Sequence, residues 1–564
     1  MKSKTVLSWL DHPLVPKVFS CLFRGYTRET FKKDLFAGLT IAVIALPLAL
    51  AFAIASGVEP SRGLYTAVVA GFLCSLLGGS RVLVGGPTGA FVVIVYSTIE
   101  RHGYEGLVLA TLMAAVLLVI TGLCGLGRLI KAVPYPLIIG FTTGLAFLIF
   151  SSQIKDFLGL PLAQIPADFI DKWTLYFQHA PSVNPIALGL GASCILGIAA
   201  MRRWSPALPW GICIIAIAGI VTWVFGLDVE TIGSRYGALP TSLPAPSLPT
   251  IPLELERWQA LFPDAVAIAV LAGLESLLCA VMIDGMTGSR HKPDCELVSQ
   301  GISNAASVLF GGIPATGAIA RTVANVKTGA RTPVAGIIHA LVLLTIMSLL
   351  SPLVAHIPLA ALAAVLIIVA WNMAELNRFF HVFKAPRGDI AVMLTAFGLT
   401  VFVDLSFAVQ MAMILALFLF MRRMSDKAKT LQPISADIDM SIPEGMEIYQ
   451  LRGPLFFGVA DKIRDLAHPM RPSPHVFLLD MQDVHILDAS GMYALHEVAL
   501  KCQKQNTHLL LSGVHGEVYA SMKQFGLFTL VQPESVFPST KPALEHARRL
   551  LFAKRKEAEL TKKP

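Results

Sequence analysis

Two stretches carry residues whose types and spacing could bind an anion: GGPTGAFVVIVY, Gly85 to Tyr96, and GGIPATGAIARTVANVKTGA, Gly311 to Ala330. Each has Gly-Gly, then Pro, then Thr-Gly-Ala, then an apolar segment too brief to cross a bilayer. A helix that starts at such a break begins with free backbone N–H groups and the positive end of its dipole. Two such starts facing one another make an anion site. An offset of 228 residues superposes Thr88-Gly89-Ala90 on Thr316-Gly317-Ala318. The same offset carries Asp34, where the first long apolar segment begins, to Phe262, where another begins. In a membrane protein, paired short segments broken by Gly and Pro are the best sequence pointer to a transporter's binding site. The competing reading is two ordinary Gly/Pro loops between spans.

Two ionisable residues stand near these breaks. Glu275, in AIAVLAGLESLLCAVMIDG, is about midway along its apolar segment, where a charge is costly and usually lines a cavity. The repeat offset makes it the partner of Pro47 in ALPLALAFA, where the first span is expected to be distorted. A carboxylate in a partly dry site can carry a proton; the alternative is an acid paired with a structural Arg or Lys. Arg321 lies one turn into the segment led by Thr316. Its guanidinium could hold an oxyanion through two parallel donors, pair with Glu275, or reach the cytoplasmic water below.

The elements that position these residues are membrane helices. The chain has 564 residues, 55% of them hydrophobic and only 15% charged, which is the composition of a polytopic membrane protein. Apolar segments fall near 34–56, 62–78, 87–99, 105–125, 133–152, 185–201 and 208–226, and again near 261–284, 296–311, 316–326, 333–352, 357–374, 389–402 and 404–422. An odd number of spans per repeat inverts the second half relative to the first. With a cytoplasmic N-terminus, the inside loops hold Arg81, Arg128, Lys131, Arg202, Arg203, Arg290, Lys292, Lys327, Arg331, Arg378, Lys384 and Arg387. The outside loops hold acids such as Asp168, Asp228, Glu230, Glu254 and Glu256. That is the positive-inside pattern, so both termini are expected in the cytoplasm. The net charge of +8 is explained by this placement, and nucleic acid is not an expected partner.

The reading divides the chain into a basic N-terminal segment (1–33), a transport domain (34–424, with repeats 34–226 and 261–424), a linker (425–432), a soluble α/β domain (433–545) and a basic tail (546–564). The tail could lie on anionic lipid or end as a solvated helix. In the soluble domain LDASG joins a strand to a helix, with Asp488 as its cap and Ser490 in its first turn. A phosphate is electrostatically welcome there. The eight cysteines show no CxxC spacing and read as free thiols. With no nucleophile–base or metal-ligand constellation, neither an enzyme nor a cofactor is expected.

DLFAGLTIAVIALPLALAFAIASGVEPSRGLYTAVVAG, GGSRVLVGGPTGAF, and ESLLCAVMIDGMTG followed by GGIPATGAIARTVANVKTGA resemble the SulP family of anion transporters, and the C-terminal domain resembles STAS domains. The resemblance covers nearly the whole chain. It implies an α-helical membrane protein of fourteen spans in a seven-plus-seven inverted repeat, with core and gate domains that move relative to each other, and a cytoplasmic STAS domain. The anion would bind between the facing ends of the third and tenth spans. Thr88, Gly89, Ala90, Thr316, Gly317, Ala318 and Arg321 fall on the matching positions, with Phe52 on the first span and Glu275 on the eighth. Ser490 matches the Ser that is phosphorylated in anti-sigma-factor antagonists. One departure matters: many sulphate carriers of the family have Gln after the first-span Pro, and here that position is Leu48. A lost donor makes a dehydrated dianion less comfortable. The wording of the first and eighth spans leans toward bacterial C4-dicarboxylate carriers. The expectation is therefore proton-coupled uptake of succinate, fumarate or aspartate across the inner membrane. The alternatives are a sulphate or sodium-coupled bicarbonate transporter, or an anion channel sensed by its STAS domain. A homodimer and a cytoplasmic partner of the STAS domain are further expectations.

Overall fold

A computed structural model describes residues 8–23, 25–128, 134–162, 165–166, 168–204, 210–238, 240–249, 254–403, 405–427, 432–433, 443–456, 460, 463–464 and 474–560. Lys131, part of the linker and the last residues of the tail lie outside these ranges. Contacts divide the chain into two compact units, residues 1–416 and 417–564.

The first unit is helical. Its elements are α1 (Arg28–Ala55), α2 (Pro60–Leu77), α3 (Gly89–Leu123), α4 (Tyr135–Leu158), α5 (Pro185–Trp204), α6 (Trp210–Phe225), α7 (Leu255–Thr287), α8 (Pro293–Leu309), α9 (Ile319–Lys327), α10 (Val334–Val354), α11 (Leu359–Met373), α12 (Arg387–Phe402) and α13 (Leu405–Lys427). Among the described residues, seven helices are long and apolar enough to cross a membrane. α3 is bent at Gly103, whose φ of 70° suits a residue without Cβ, so its two arms serve as separate segments. With α3 counted twice and the short helices Lys17–Phe23, Phe169–Gln178, Ile232–Tyr236 and Leu376–Val382 left aside, these helices form two sets of seven, the seven-plus-seven inverted repeat. α1 was expected to distort at Pro47, yet it runs as one helix through that residue.

Packing sorts these helices into two bundles. α7 and α8 pack on α3, and α10 packs on α1 and α2; α4 packs on α11 and α12, with α5 against α11. Without a hydrophobic drive between helices in lipid, close approach depends on small residues. At Gly63 an added Cβ would lie 2.0 Å from the Ala49 carbonyl oxygen, and at Gly140 2.2 Å from that of Met393.

A buried carboxylate at the start of each repeat clasps the far end of the other repeat's half-helix. Asp34 of α1, 0% exposed, accepts the N–H groups of Arg331 and Thr332 at 2.7 and 3.1 Å and the Thr332 hydroxyl at 2.5 Å. Asp264 of α7, 2% exposed, accepts Arg101 Nη2 at 2.9 Å. The structural partner of Asp34 is thus Asp264, two residues beyond the Phe262 that the superposed Thr-Gly-Ala motifs select.

The second unit holds a five-stranded sheet in the order β3–β4–β5–β6–β7: Gln432–Pro433, Met446–Arg452, Val476–Asp483, His508–Ser512 and Val536–Phe537. β3 runs antiparallel and the rest are parallel. α14 (Ala489–Lys504) and α15 (Gly516–Gln524) cover one face through Met492, Leu495, Val498 and Met522. α16 (Thr540–Leu560) covers the other through Ala543, Leu544, Ala547 and Leu551. The stretch read as a tail from 546 therefore begins inside a helix packed on the sheet. Asp488 caps α14, its Oδ1 accepting the Gly491 N–H at 2.8 Å, and Ser490 is half-buried in the first turn.

Candidate functional site

The Gly-Gly and Thr-Gly pairs become two short strands, β1 (Gly85–Gly86) and β2 (Thr316–Gly317), that pair antiparallel with Gly85 opposite Gly317 and Gly86 opposite Thr316. Immediately after them α3 starts at Gly89 and α9 at Ile319. Neither N-cap, Thr88 or Ala318, supplies a side-chain cap to its helix. The pairing therefore brings two uncapped helix N-termini to one place, the arrangement expected of an anion site.

Side chains from other helices hold the crossing. The Gly317 N–H donates to Ser276 Oγ at 2.9 Å, Ser276 lies 2.7 Å from Thr316 Oγ1, and Thr316 donates to the Ala272 carbonyl at 3.2 Å. Asn304 brackets Ala315, accepting its N–H at 2.8 Å and donating to its carbonyl at 2.9 Å. From α9, Thr322 accepts the Val84 N–H at 3.0 Å and Asn325 donates to the Val82 carbonyl at 2.9 Å. Arg321, 2% exposed, donates Nη2 to the Pro87 carbonyl. The α3 entry is thus braced by α9 of the other repeat, and the α9 entry by α7 and α8 of its own.

What stays open is smaller. Thr88 is half-buried and donates to Glu275 Oε2 at 3.2 Å, and Glu275 is itself half-buried. Ile319 and Ala320, in the first turn of α9, are exposed although residues 312–318 just before them are buried. On the other wall, an added Cβ at Gly89 would meet Ile149 Cδ1 at 3.0 Å, Phe52 Cε1 at 3.3 Å and Met373 Sδ at 3.7 Å. The α3 N-terminus is thus packed on an apolar side by α1, α4 and α11 and edged on the other by Thr88 and Glu275.

The sulfate permease family model matches residues 31–396, and the STAS domain model matches residues 437–543. The chain belongs to the sulfate permease family. Within that family it is 39% identical to the putative sulfate transporter YvdB of Bacillus subtilis over 92% of this chain and 98% of that one. It is 30% identical to the bicarbonate transporter BicA of Picosynechococcus over 92% and 95% of the two chains. The solved transmembrane domain of a cyanobacterial bicarbonate transporter BicA matches at 31% identity with a TM-score of 0.61, covering 69% of this chain and 98% of that one. The murine anion transporter Slc26a9 shares the fold at 19% identity and a TM-score of 0.86, covering 97% and 95%. A family of transporters agrees with the absence of any expected enzymatic constellation.

Set on this family fold, the residues singled out in the sequence divide in two. Phe52, Thr88, Gly89 and Glu275 meet around the α3 N-terminus, while Ala90 is buried in the core beside them. Thr316, Gly317, Ala318 and Arg321 form the braced crossing beside it, with the Ala318 N–H donated to the Val84 carbonyl at 2.9 Å. No ion pair between Arg321 and Glu275 occurs among the described residues. Ser276, Asn304, Thr322 and Asn325 escaped sequence reasoning; the only signal was polar side chains recurring on otherwise apolar helices.

Proposed function

We propose that this protein is a secondary active transporter of a small inorganic oxyanion, bicarbonate by preference, bound where the N-termini of α3 and α9 converge. The observation that carries this is the β1–β2 pairing, which places two uncapped helix N-termini beside the Thr88–Glu275 hydrogen bond. The charge balance favours a monoanion. Among the described residues one guanidinium, Arg321, stands at the crossing; its Nη2 donates to the Pro87 carbonyl and its Nη1 has no partner, so it offers a single positive charge, while Glu275 adds a carboxylate rather than a second counter-charge. A C4-dicarboxylate, expected from the span wording, would bring two charges to that edge, and the relatives described above carry sulfate and bicarbonate names. Sulphate is the second reading, favoured by the 39% identity to a putative sulfate transporter. Glu275 is the proposed coupling residue for a proton or sodium ion. The proposed topology keeps both termini and the STAS domain in the cytoplasm of a bacterial inner membrane.

Purified full-length protein in proteoliposomes, given labelled bicarbonate, sulphate and succinate under imposed proton or sodium gradients, tests this reading. Bicarbonate should be concentrated against its gradient under one of the two ion gradients. Accumulation of succinate alone would overturn the substrate assignment, and passive equilibration of every anion would overturn coupled transport.

A further inference from the structure

The bundle built around α3 and the bundle built around α4 meet along the first arm of α3. At its N-terminus that meeting is apolar, with Gly89 against Ile149 of α4 and Met373 of α11. Apolar contact has no preferred direction, so such surfaces can slide. Farther along α3 the meeting is polar. Among the described residues, one side-chain hydrogen bond joins the two bundles: the Tyr96 hydroxyl donates to the Ile165 carbonyl. Ile165 lies between α4 and a short helix, Phe169–Gln178. Lys172 of that helix, 7% exposed, stands over the Tyr96 ring at 5.9 Å from its centroid. Glu100, one turn farther along α3, and Asp168, just before the short helix, attract the same ammonium.

The short helix is itself fastened to the α4 bundle. The Phe169 ring lies 5.4 Å from that of Phe147 in α4 and 5.7 Å, edge-on, from that of Phe402 in α12. Trp173 Nε1 donates to Ser151 Oγ of α4 at 3.2 Å. Aromatic packing therefore holds the helix to one bundle, while single polar contacts, which exchange with water at little net cost, tie it to the other. Tyr96 stands about two turns beyond Thr88 on α3, away from the proposed anion.

We propose that Ile165 and the Phe169–Gln178 helix form an outer latch. It rides with α4 and α12, closes on Tyr96 and Lys172 when the outer side is shut, and releases Tyr96 each time the α3 bundle moves to take an anion from that side. The proposal rests on the secondary-transport reading, in which one bundle moves against the other. A latch of this kind sets how often the outer side opens and leaves the choice of anion alone.

Spin labels on the full-length protein in liposomes, at Glu105→Cys on the α3 bundle and Asp171→Cys on the short helix, test the latch without transport. The distance distribution should show a short, latched population, and Tyr96→Phe with Lys172→Met should shift it toward longer distances. A distribution unmoved by these two substitutions overturns the proposal. In a second arm, Tyr96→Cys and Lys172→Cys are bridged by a bifunctional methanethiosulfonate reagent. Bridging should stop gradient-driven uptake of labelled bicarbonate or sulphate, whichever the wild type accumulates, and reduction should restore it; each single variant, treated alike, should keep its rate. Undiminished uptake by the bridged protein overturns the latch. Absence of uptake in the wild type overturns the transport reading instead, and the label distances still decide the latch.

Discussion

Glu275 and Gly317 sit within one turn of the same crossing, yet substitutions there should fail in different ways. Glu275→Gln keeps an acceptor for the Thr88 hydroxyl but removes the charge. Substrate affinity should change by no more than about fivefold, because one neutral hydrogen bond contributes only about 1 kcal/mol. Gradient-driven accumulation should fall to equilibration. Retained uphill uptake in the variant would move the coupling site elsewhere. At Gly317 an added Cβ would lie 3.0 Å from Leu83 Cδ1 and 3.2 Å from the Ser276 Cα. Gly317→Val therefore pushes β2 away from α7, and overpacking of this kind costs about 1–3 kcal/mol. The protein should still purify folded but lose at least tenfold in anion affinity, which equilibrium binding would measure. Ser276→Ala supplies the milder case. It strands the Gly317 N–H and breaks the relay to Thr316, so an affinity loss smaller than that of Gly317→Val is expected.

At the scale of elements, the half-helices are held at both ends. Their N-terminal ends are braced by Ser276, Asn304, Thr322, Asn325 and Arg321; their far ends are clasped by Asp34 and Asp264. An entry so fixed keeps its N–H groups aimed without reorganisation when an anion arrives. Asp34→Ala would leave two backbone N–H groups and one hydroxyl at the start of α10 without an acceptor. Each buried orphan costs about 1–3 kcal/mol, so thermal unfolding of purified protein should show a clear drop in midpoint. Asp264→Ala should cost less, because Arg101 has nearly half its side chain open to solvent and can turn outward. Equal destabilisation by the two variants would mean that the clasps are not distinguished by burial.

For the whole molecule, sidedness and the STAS domain carry the tests. A cysteine introduced as Glu534→Cys, at an exposed STAS position, should resist an impermeant maleimide applied to intact cells and react after lysis. The domain's own Cys502 should stay silent in both: burial pushes its thiol up to about 12, leaving almost no thiolate at pH 8. Labelling in intact cells would overturn the cytoplasmic placement. Ser490→Glu, on the first turn of α14, should alter rate or protein contacts and leave the preference among anions unchanged; a change of preference would count against a regulatory role. The chain's composition and hydropathy by themselves determined a membrane-embedded helical unit followed by an α/β domain, because lipid demands long apolar helices and a sheet demands short alternating or buried runs. The repeated Gly-Gly, Pro and Thr-Gly-Ala spacing determined where both half-helices start, since those residue types break a helix wherever they occur. Tertiary structure alone decided which groups at the breaks remain available. Gly317 and Arg321 look like anion donors in the sequence, but Ser276, 41 residues away, takes the Gly317 N–H, and the Pro87 carbonyl, 234 residues away, takes one amino group of Arg321 and leaves the other free. It also decided that Asp34 and Asp264 are partners. Which donor meets which acceptor is a property of packing between distant helices, and local residue pattern carries no record of it.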